Sequence, residues 1–251
     1  MISEPFAEGS SWLHLADPAA KIVSALVLAF SLATTGSPLV ATAGVAVGLG
    51  LVILARLPVR PLARRLMAVN LFLVLIWLTL PLAGAGPPLW QWGWLTIHRE
   101  GLRLAALITL KANGIYLLLT ALTATASVAD TGRALERLGL PNKLILLLLT
   151  TYRYLGRIEQ EYQRLRRSAA MRCFSATTSL HTYRTFGYLI GMTLIRSHER
   201  SRRVHQAMLL RGFTGRFPLL TEQKTRPTDY VLLGFAITLA LVFSLSPHIL
   251  K

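Results

Sequence analysis

The chain has little charge, few acidic residues and a single cysteine. Charged residues make up 15% of the sequence, whereas an ordinary soluble domain carries about 25%. The lone Cys173 excludes an internal disulfide framework and a metal site built from several cysteines. Only 11 acidic residues oppose 27 Lys and Arg, which gives a formal net charge of +16. Because 53% of the residues are hydrophobic, this composition favours a membrane protein with a basic cytoplasmic part over a soluble enzyme.

The common nucleotide-binding and nucleophile motifs are also missing from the sequence. There is no Gly-x-x-x-x-Gly-Lys-Ser/Thr loop, no Gly-x-Gly-x-x-Gly turn after a strand and no Gly-x-Ser-x-Gly elbow. The six histidines are scattered, and no cysteine or carboxylate completes a metal shell with His198 and His205. We therefore expect no catalytic residue, no metal site and no cofactor in this chain itself.

Long apolar segments predict about five membrane spans, since a span needs about 20 mainly apolar residues. Residues 22–55 are too many for one span, and Gly36-Ser37-Pro38 interrupts them, which predicts two short spans joined by a tight turn. Asp17-Pro18 is typical of a helix N-cap followed by proline at the first helical position. The predicted spans cover residues 17–35, 39–55, 66–82, 102–126 and 230–245.

The distribution of arginine and tryptophan predicts the topology of these spans. Four arginines follow the second span on a predicted short loop, and the positive-inside rule places them, and so the N-terminus, in the cytoplasm: Arg56, Arg60, Arg64 and Arg65. Residues 84–94 are rich in Gly, Pro and Trp and predict an external loop at the membrane interface, with Trp90, Trp92 and Trp94.

A basic segment lies between the fourth and the last span. Residues 122–229 hold 18 of the 27 Lys and Arg but only 7 of the 11 acidic residues. The sequence predicts a short helix at 131–138 and two long helices, from Pro141 to about Cys173 and from about Leu180 to Arg211. Both long helices end on an arginine. Arg172 and Arg211 either stabilise the negative helix ends, by about 0.3–1 kcal/mol, or are displayed to enter a groove of a partner.

A glycine pair in the second long helix and a lysine in the fourth span are two further candidate features. Gly187 and Gly191 form a Gly-xxx-Gly pair, which predicts that the two long helices cross tightly there. Lys111 lies near the middle of the fourth span, where an ionisable residue is a functional candidate. Packing into the bundle beside Asn113 or Asn70 is the alternative, and the residues alone leave both readings open.

Three stretches of the chain resemble a known family. Residues 15–21, Leu-Ala-Asp-Pro-Ala-Ala-Lys, are similar to the Leu-Asp-Pro-Arg-x-Lys opening of the transmembrane T components of energy-coupling factor (ECF) transporters. Residues 188–197, Tyr-Leu-Ile-Gly-Met-Thr-Leu-Ile-Arg-Ser, and 206–213, Gln-Ala-Met-Leu-Leu-Arg-Gly-Phe, resemble the cobalt branch, CbiQ. In this family cytoplasmic coupling helices end in an x-Arg-x motif, often Ala-Arg-Gly. The motif matches Leu210-Arg211-Gly212 well, whereas Met171-Arg172-Cys173 departs from it at both neighbours of the arginine.

The resemblance covers nearly the whole chain and implies a fold and partners. It implies an all-α integral membrane protein with about five spans and a cytoplasmic coupling domain of two long crossing helices and one short helix. The expected domains are 1–126 with four spans, 127–228 with the coupling helices and 229–251 with the last span. The implied partners are two ATP-binding-cassette ATPase subunits, a substrate-binding membrane (S) subunit and the lipid bilayer, and no nucleic acid.

The resemblance also implies a function and a location. The chain would be a non-catalytic subunit that transmits ATPase motion to the S subunit of a cobalt importer, in the bacterial inner membrane with its N-terminus and coupling helices cytoplasmic. The same role for nickel or a vitamin is an alternative, since the substrate choice resides in the S subunit. A polytopic membrane enzyme is another, but its clustered acids are missing, because those of the basic segment are dispersed: Asp130, Glu136, Glu159, Glu161 and Glu199.

Overall fold

The helices of this chain fall into two units in the computed structural model. The structure describes residues 6, 9, 11–83, 88–92, 95–215 and 227–249. Residues 4–134 and 223–251 form one unit, here called the membrane unit, and residues 1–3 and 135–222 form the other, here called the hairpin unit. The elements in chain order are α1 (Trp12–Leu15), α2 (Pro18–Thr34), α3 (Pro38–Leu54), α4 (Val59–Ala83), β1 (Pro88–Trp92), β2 (Leu95–His98), α5 (Arg99–Thr123), α6 (Val128–Arg137), α7 (Asn142–Met171), α8 (Leu180–Leu210) and α9 (Pro227–Ile249).

Five apolar helices of the membrane unit confirm the predicted all-helical membrane architecture. Helices α4, α5 and α9 contain segments that are long and apolar enough to cross a bilayer, whereas α2 and α3 are apolar but have 17 residues each. At about 1.5 Å per residue, each of these two is about 25 Å long, which is less than the ~30 Å hydrocarbon thickness. The predicted spans are therefore present as helices, and two of them are short.

The start of α2 and its separation from α3 follow from local sequence. Asp17 is the N-cap of α2, and its Oδ1 accepts a hydrogen bond of 3.2 Å from the backbone N–H of Ala19. Pro18 occupies the first helical position, where its missing N–H has no helical partner to lose. Both features, and the break before Pro38, confirm the prediction from the sequence.

Two predictions for the connections need correction. Arg60, Arg64 and Arg65 do not lie on a loop but in the first turns of α4, because the helix already begins at Val59. A proline in a first helical turn, here Pro61, is tolerated since the N–H it lacks has no partner there. Residues 84–94, predicted as a loop, include strand β1, which pairs antiparallel with β2. Trp90 and Trp92 belong to β1, whereas Trp94 lies outside the described residues.

Close glycine packing occurs in the membrane unit, where α2, α3 and α5 meet. A Cβ atom on Gly48 would lie 2.8 Å from Cβ of Leu117, and one on Gly114 would lie 2.9 Å from Cδ2 of Leu32. Gly44 has a similar constraint, since its Cβ would lie 2.6 Å from Leu32. Small residues at these positions let the helix backbones approach closely. The signal in the sequence is the Gly-xxx-Gly pair of Gly44 and Gly48 within the second apolar segment.

The predicted close crossing of the long helices at Gly187 and Gly191 is wrong. A Cβ atom added at either glycine would meet nothing within 4 Å. Helices α7 and α8 instead contact each other along a face that carries the buried side chains Glu161, Leu189 and Thr193. A Gly-xxx-Gly pattern allows another helix to approach closely, but it does not determine which helix packs there.

Candidate functional site

The first of the two arginine-bearing helix ends is that of α7. Arg172 is the C-cap residue, with φ −94° and ψ 28°. Cys173 follows in the left-handed region, with φ 60°. The N–H of Cys173 donates to the carbonyl of Ala170 at 3.0 Å, and the N–H of Phe174 donates to that of Ala169 at 3.2 Å. These two bonds and the left-handed residue form a Schellman motif, which satisfies the last carbonyls of the helix.

The end of α8 repeats this geometry. Arg211 is the C-cap residue, with φ −91° and ψ 13°, and Gly212 follows with φ 74°. The N–H of Gly212 donates to the carbonyl of Leu209 at 3.0 Å, and the N–H of Phe213 donates to that of Met208 at 3.0 Å. The two ends are therefore equivalent in backbone conformation and hydrogen bonding, although their sequences differ around the arginine.

The left-handed position is filled by glycine at one end and by cysteine at the other. Glycine adopts positive φ without a Cβ penalty, whereas another residue loses about 1–2 kcal/mol there. Cys173 thus adopts the conformation for which the family motif uses glycine, and the helix still ends at the same place. A second signal, missed in the sequence, is the phenylalanine two residues after each arginine, Phe174 and Phe213.

Each phenylalanine packs back onto its own hairpin. The ring of Phe174 lies edge-on to Phe186, with 5.9 Å between ring centroids, and 6.3 Å from the ring of His181. Phe213 lines a cleft of about 630 Å³ between the first half of α7 and the end of α8, together with Tyr154 and Met208. These contacts fix the chain after each left-handed turn, and Arg211 lines the same cleft as Phe213.

The helix ends themselves are exposed. Met171 is 81% exposed and Leu210 is 90% exposed, and the arginine that follows each of them is exposed as well. No ion pair joins Arg172 or Arg211 to any carboxylate among the described residues. Each end, here called an arginine tip, presents an apolar side chain beside a permanently charged guanidinium with a planar fork of donors. Such a pair suits a groove with an apolar wall and carboxylate or carbonyl acceptors.

An ionic cluster joins α7 to α8. Glu161 is 9% exposed, and its carboxylate lies 2.5 Å from the guanidinium of Arg196, 3.7 Å from that of Arg200 and 3.9 Å from that of Arg164. The hydrogen bond from Arg196, with the nearby positive charges, holds the pKa of Glu161 below its ordinary value against the opposing effect of burial. The carboxylate is therefore charged at neutral pH. The sequence showed this acid only as one of a dispersed set.

The membrane unit contains a buried charged cluster that the sequence analysis did not single out. Lys21 is 1% exposed, and its Nζ donates to Oγ1 of Thr125 at 3.4 Å. Asp17 and Asp229 are also buried and supply negative charge near the ammonium group. Oδ1 of Asp229 accepts a hydrogen bond of 2.9 Å from the backbone N–H of Asp17. The signal in the sequence was the Asp-Pro-x-x-Lys motif before the first span, which contains Asp17 and Lys21 of this cluster.

Lys111 and Asn113 bind different partners, although they lie two residues apart. Nζ of Lys111 donates to the carbonyl of Ala33 at 2.8 Å, near the C-terminal end of α2. A cation is favoured at that end of a helix. The amides of Asn113 and Asn70 bond each other reciprocally, at 3.0 and 3.1 Å, and join α4 to α5. Lys111 therefore contacts α2, whereas the two asparagines contact each other.

The described residues hold no group of three or more His, Cys, Asp or Glu side chains that is placed to bind a metal ion. His198 and His205 lie on α8 and are not brought together with an acidic residue or a cysteine in such a group. The feature that the structure does show is a pair of equivalent arginine tips, which lie at opposite ends of one hairpin.

The fold and the tips define a class: helical membrane proteins that carry a basic helical hairpin with exposed arginine ends. The family model of CbiQ, described as cobalt transport protein, matches residues 9–223 of this chain. The chain therefore belongs to the CbiQ family, the cobalt-type T components of ECF transporters.

Named relatives agree with this membership. The ECF transporter transmembrane protein EcfT of Exiguobacterium sibiricum is 28% identical over 256 residues, which cover 94% of this chain and 95% of that protein. EcfT of Brevibacillus brevis is 25% identical over 221 residues, covering 84% of this chain and 83% of the relative. The nickel permease LarQ of Lactiplantibacillus plantarum is 28% identical over 162 residues, covering 64% of this chain and 56% of the permease.

Proposed function

We propose that this chain is the coupling subunit of an ATP-driven cobalt importer and that its two arginine tips bind two ATP-binding-cassette ATPase subunits. The observation that carries the proposal is the equivalence of the tips. Arg172 and Arg211 share one backbone geometry, one pattern of hydrogen bonds and one arrangement of flanking apolar side chains. Two equal tips on one chain match two equal binding grooves on a pair of ATPase subunits.

The proposal assigns the chemistry of ATP to the partners and no catalytic role to this chain. An arginine inserted into a groove follows the movement of that groove, because its fork of donors fixes both distance and orientation. Binding and hydrolysis of ATP would move the ATPase subunits, and the hairpin would transmit this movement towards the membrane. We propose no cofactor and no resident metal for the chain.

A second surface of the hairpin fits the membrane S subunit. Gly187 and Gly191 lie on α8 with open space above them, and Tyr183, Ile190 and Leu194 on the same helix are exposed. Glycines on an apolar helix face allow the close approach of another helix, which in this chain is not α7. We therefore assign this face to a helix of the S subunit rather than to an internal crossing.

Cobalt is the proposed substrate because of the family to which the chain belongs. Nickel is the second candidate, since one relative is a nickel permease. In either case the metal would be selected by the S subunit. Uptake of radiolabelled cobalt and nickel by cells that express the full transporter distinguishes the two, and preferential uptake of nickel would replace cobalt in the proposal.

The proposed location is the bacterial inner membrane, with the N-terminus and the hairpin cytoplasmic. Thiol labelling from outside the cell tests the orientation. In a Cys173→Ser background, a cysteine in place of Gln91 should react with an impermeant reagent and one in place of Gln163 should not. The reverse pattern would invert the proposed topology.

Alanine substitution of the tips tests the coupling role. Removing one partner of a buried charge contact costs about 2–5 kcal/mol, whereas an exposed arginine in water contributes about 1 kcal/mol or less. We expect Arg172→Ala and Arg211→Ala each to weaken assembly with the ATPase subunits or to uncouple ATP hydrolysis from uptake. Membrane insertion should be unchanged.

The matched control is Arg202→Ala, which removes an exposed arginine of α8 that is neither at a tip nor at the surface assigned to the S subunit. Co-purification of the ATPase subunits and cobalt uptake are measured for all variants. If the double variant Arg172→Ala, Arg211→Ala assembles and transports like the control, the tips are ordinary helix caps and the proposed coupling is wrong.

A further inference from the structure

The two long helices of the hairpin are held together over a short length only. On one side of the ionic cluster the chain turns from α7 into α8, where the rings of Phe174 and Phe186 pack together. On the other side the helices diverge around a cleft of about 500 Å³, which lies between the Lys143–Ile158 part of α7 and the Ser197–Met208 part of α8. The cluster around Glu161 thus lies at the point where the paired part of the hairpin ends.

The arginine tips lie on opposite sides of this point. Helices α7 and α8 run antiparallel, since the start of α7 and the end of α8 line the same cleft. At about 1.5 Å per residue, Arg172 is roughly 16 Å along α7 from Glu161, and Arg211 is roughly 22 Å along α8 from Arg196. A small change in the crossing angle therefore moves the tips by several ångströms relative to each other.

Little apolar packing holds the crossing angle. Among the described residues of α7 and α8, the buried positions are Ile145, Glu161, Thr182, Leu189 and Thr193, and only two of these five are hydrophobic. Glu161 is the charged one, and the side chain of Arg196, on the other helix, is 45% exposed. The directional contact between the helices is the hydrogen-bonded ion pair of 2.5 Å.

We propose that the ion pair of Glu161 and Arg196 is the pivot of the hairpin, which fixes the crossing of α7 and α8 and so the placement of the two arginine tips. Glu161 is then a positioning residue, since it acts on the partners only through the tips. This inference rests on the proposed coupling role of Arg172 and Arg211. Arg164 and Arg200 lie 3.9 and 3.7 Å from the carboxylate and add positive charge. At these distances they do not form directional hydrogen bonds, so the orientation depends on Arg196.

The distance between the tips is measured on this chain alone, in lipid nanodiscs. Nitroxide labels are attached to Cys173, the natural exposed cysteine of the first tip, and to a cysteine in place of Thr214 beside the second. Electron–electron double resonance then gives the distribution of their separation. We expect a narrow distribution with Glu161 present and a broad one in Glu161→Gln, because the substitution keeps the shape of the side chain but removes its charge.

Two variants make this measurement specific. Glu159→Gln removes the same charge two residues away and should leave the distribution unchanged. Its side chain is exposed and, among the described residues, bonds only Gln163 of its own helix. Glu161→Asp retains the charge and should recover most of the narrow distribution. Circular dichroism is recorded for each variant, so that a loss of helix is distinguished from a change in crossing angle.

The consequence for coupling is measured in the assembled transporter. We expect Glu161→Gln to lower cobalt uptake per ATP hydrolysed by about tenfold, which is within the usual range for coupling between distant sites. The inference is overturned if Glu161→Gln, with native helix content, has the same tip distribution as Glu159→Gln, or if the distribution broadens without a change in uptake per ATP although the tip variants themselves lower uptake. If the arginine-tip variants assemble and transport normally while Glu161→Gln still broadens the distance distribution, the proposed coupling function is wrong. The role of the ion pair in fixing the helix crossing is then still supported.

Discussion

The membrane unit and the hairpin unit differ in how they are held together. The membrane unit contains one continuous buried cluster of apolar side chains, contributed by α2, α3, α5, α9 and their neighbours. Several of its polar groups are buried in pairs or clusters, such as Lys21 with its two aspartates. The hairpin unit has no comparable core among its described residues, and its helices meet through an ionic cluster and a few side chains.

This difference separates a unit with its own apolar core from a unit to which the proposed partners would add contacts. Apolar side chains of the hairpin are largely exposed, among them those beside the arginine tips and those around Gly187 and Gly191. Large exposed apolar surface on a protein indicates an interaction site. The same kind of substitution should therefore affect the stability of the fold strongly in the membrane unit and weakly in the hairpin unit.

The largest effect is expected for a buried charge of the membrane unit. Asp229→Asn removes one of the two carboxylates beside Lys21, which is 1% exposed. Leaving a buried charge partly uncompensated destabilises a protein by about 3 kcal/mol or more. The free energy of unfolding is measured by denaturation with dodecyl sulfate in mixed micelles.

The control for this prediction lies in the hairpin unit. Glu199→Gln removes a carboxylate that is 58% exposed and lies 3.9 Å from Arg203, so the change should be below about 1 kcal/mol. Equal effects of the two substitutions would contradict the contrast between the units.

Glycine to alanine substitutions should have opposite signs in the two units. In Gly48→Ala the new methyl group meets Leu117 at 2.8 Å, and overpacking of this kind costs about 1–3 kcal/mol. In Gly191→Ala it meets open space, so the helix gains about 1 kcal/mol from the better helix propensity of alanine. The free energy of unfolding is compared for the two variants, and a stabilising Gly48→Ala would refute the close packing of α3 on α5.

The arginine tips offer a pair of reciprocal substitutions. Cys173→Gly should stabilise the end of α7 by about 1 kcal/mol, since it relieves a non-glycine residue at positive φ. Gly212→Ala should destabilise the end of α8 by a similar amount for the opposite reason. Amide hydrogen exchange in the last turn of each helix reports both changes. Protection that rises in Gly212→Ala would show that the two tips are not equivalent.

The smallest effect is expected for the asparagine pair within the membrane unit. Asn113→Leu leaves the amide of Asn70 without its partner from α5, although Asn70 still donates to the carbonyl of Leu66 at 3.0 Å. Hydrogen bonds between membrane helices contribute about 0.6–2 kcal/mol, so the loss should be near the lower end. Unfolding in dodecyl sulfate is the measurement, and a loss above about 2 kcal/mol would contradict this expectation.

Sequence reasoning located the helices because their signals are local. The proline after Asp17, the break at Gly36-Ser37-Pro38 and the glycine after Arg211 each act on the backbone within a few residues. It missed the hairpin of β1 and β2 and began α4 too late, since the arginines of its first turns suggested a loop. Helix boundaries next to charged residues depend on capping and packing as well as on polarity.

The sequence also identified both arginines but not their equivalence. Met171-Arg172-Cys173 differs from Leu210-Arg211-Gly212 at two of three positions, and only the backbone angles and hydrogen bonds show that cysteine takes the place of glycine. Likewise, the sequence contains the Gly187 and Gly191 pair but does not show that α7 fails to pack against it. Nor does it show that Glu161, one of several dispersed acids, forms an ion pair with Arg196 of α8.

By itself, the sequence determined the class of this protein, since composition and apolar length fix which segments enter a bilayer and short motifs fix where helices begin and end. Only the tertiary structure decided which residues act together. Lys21 meets Asp229, and Glu161 meets Arg196, across 208 and 35 positions of the chain. Such pairs depend on which helix faces come into contact, and this is settled by packing among several elements rather than by any local pattern.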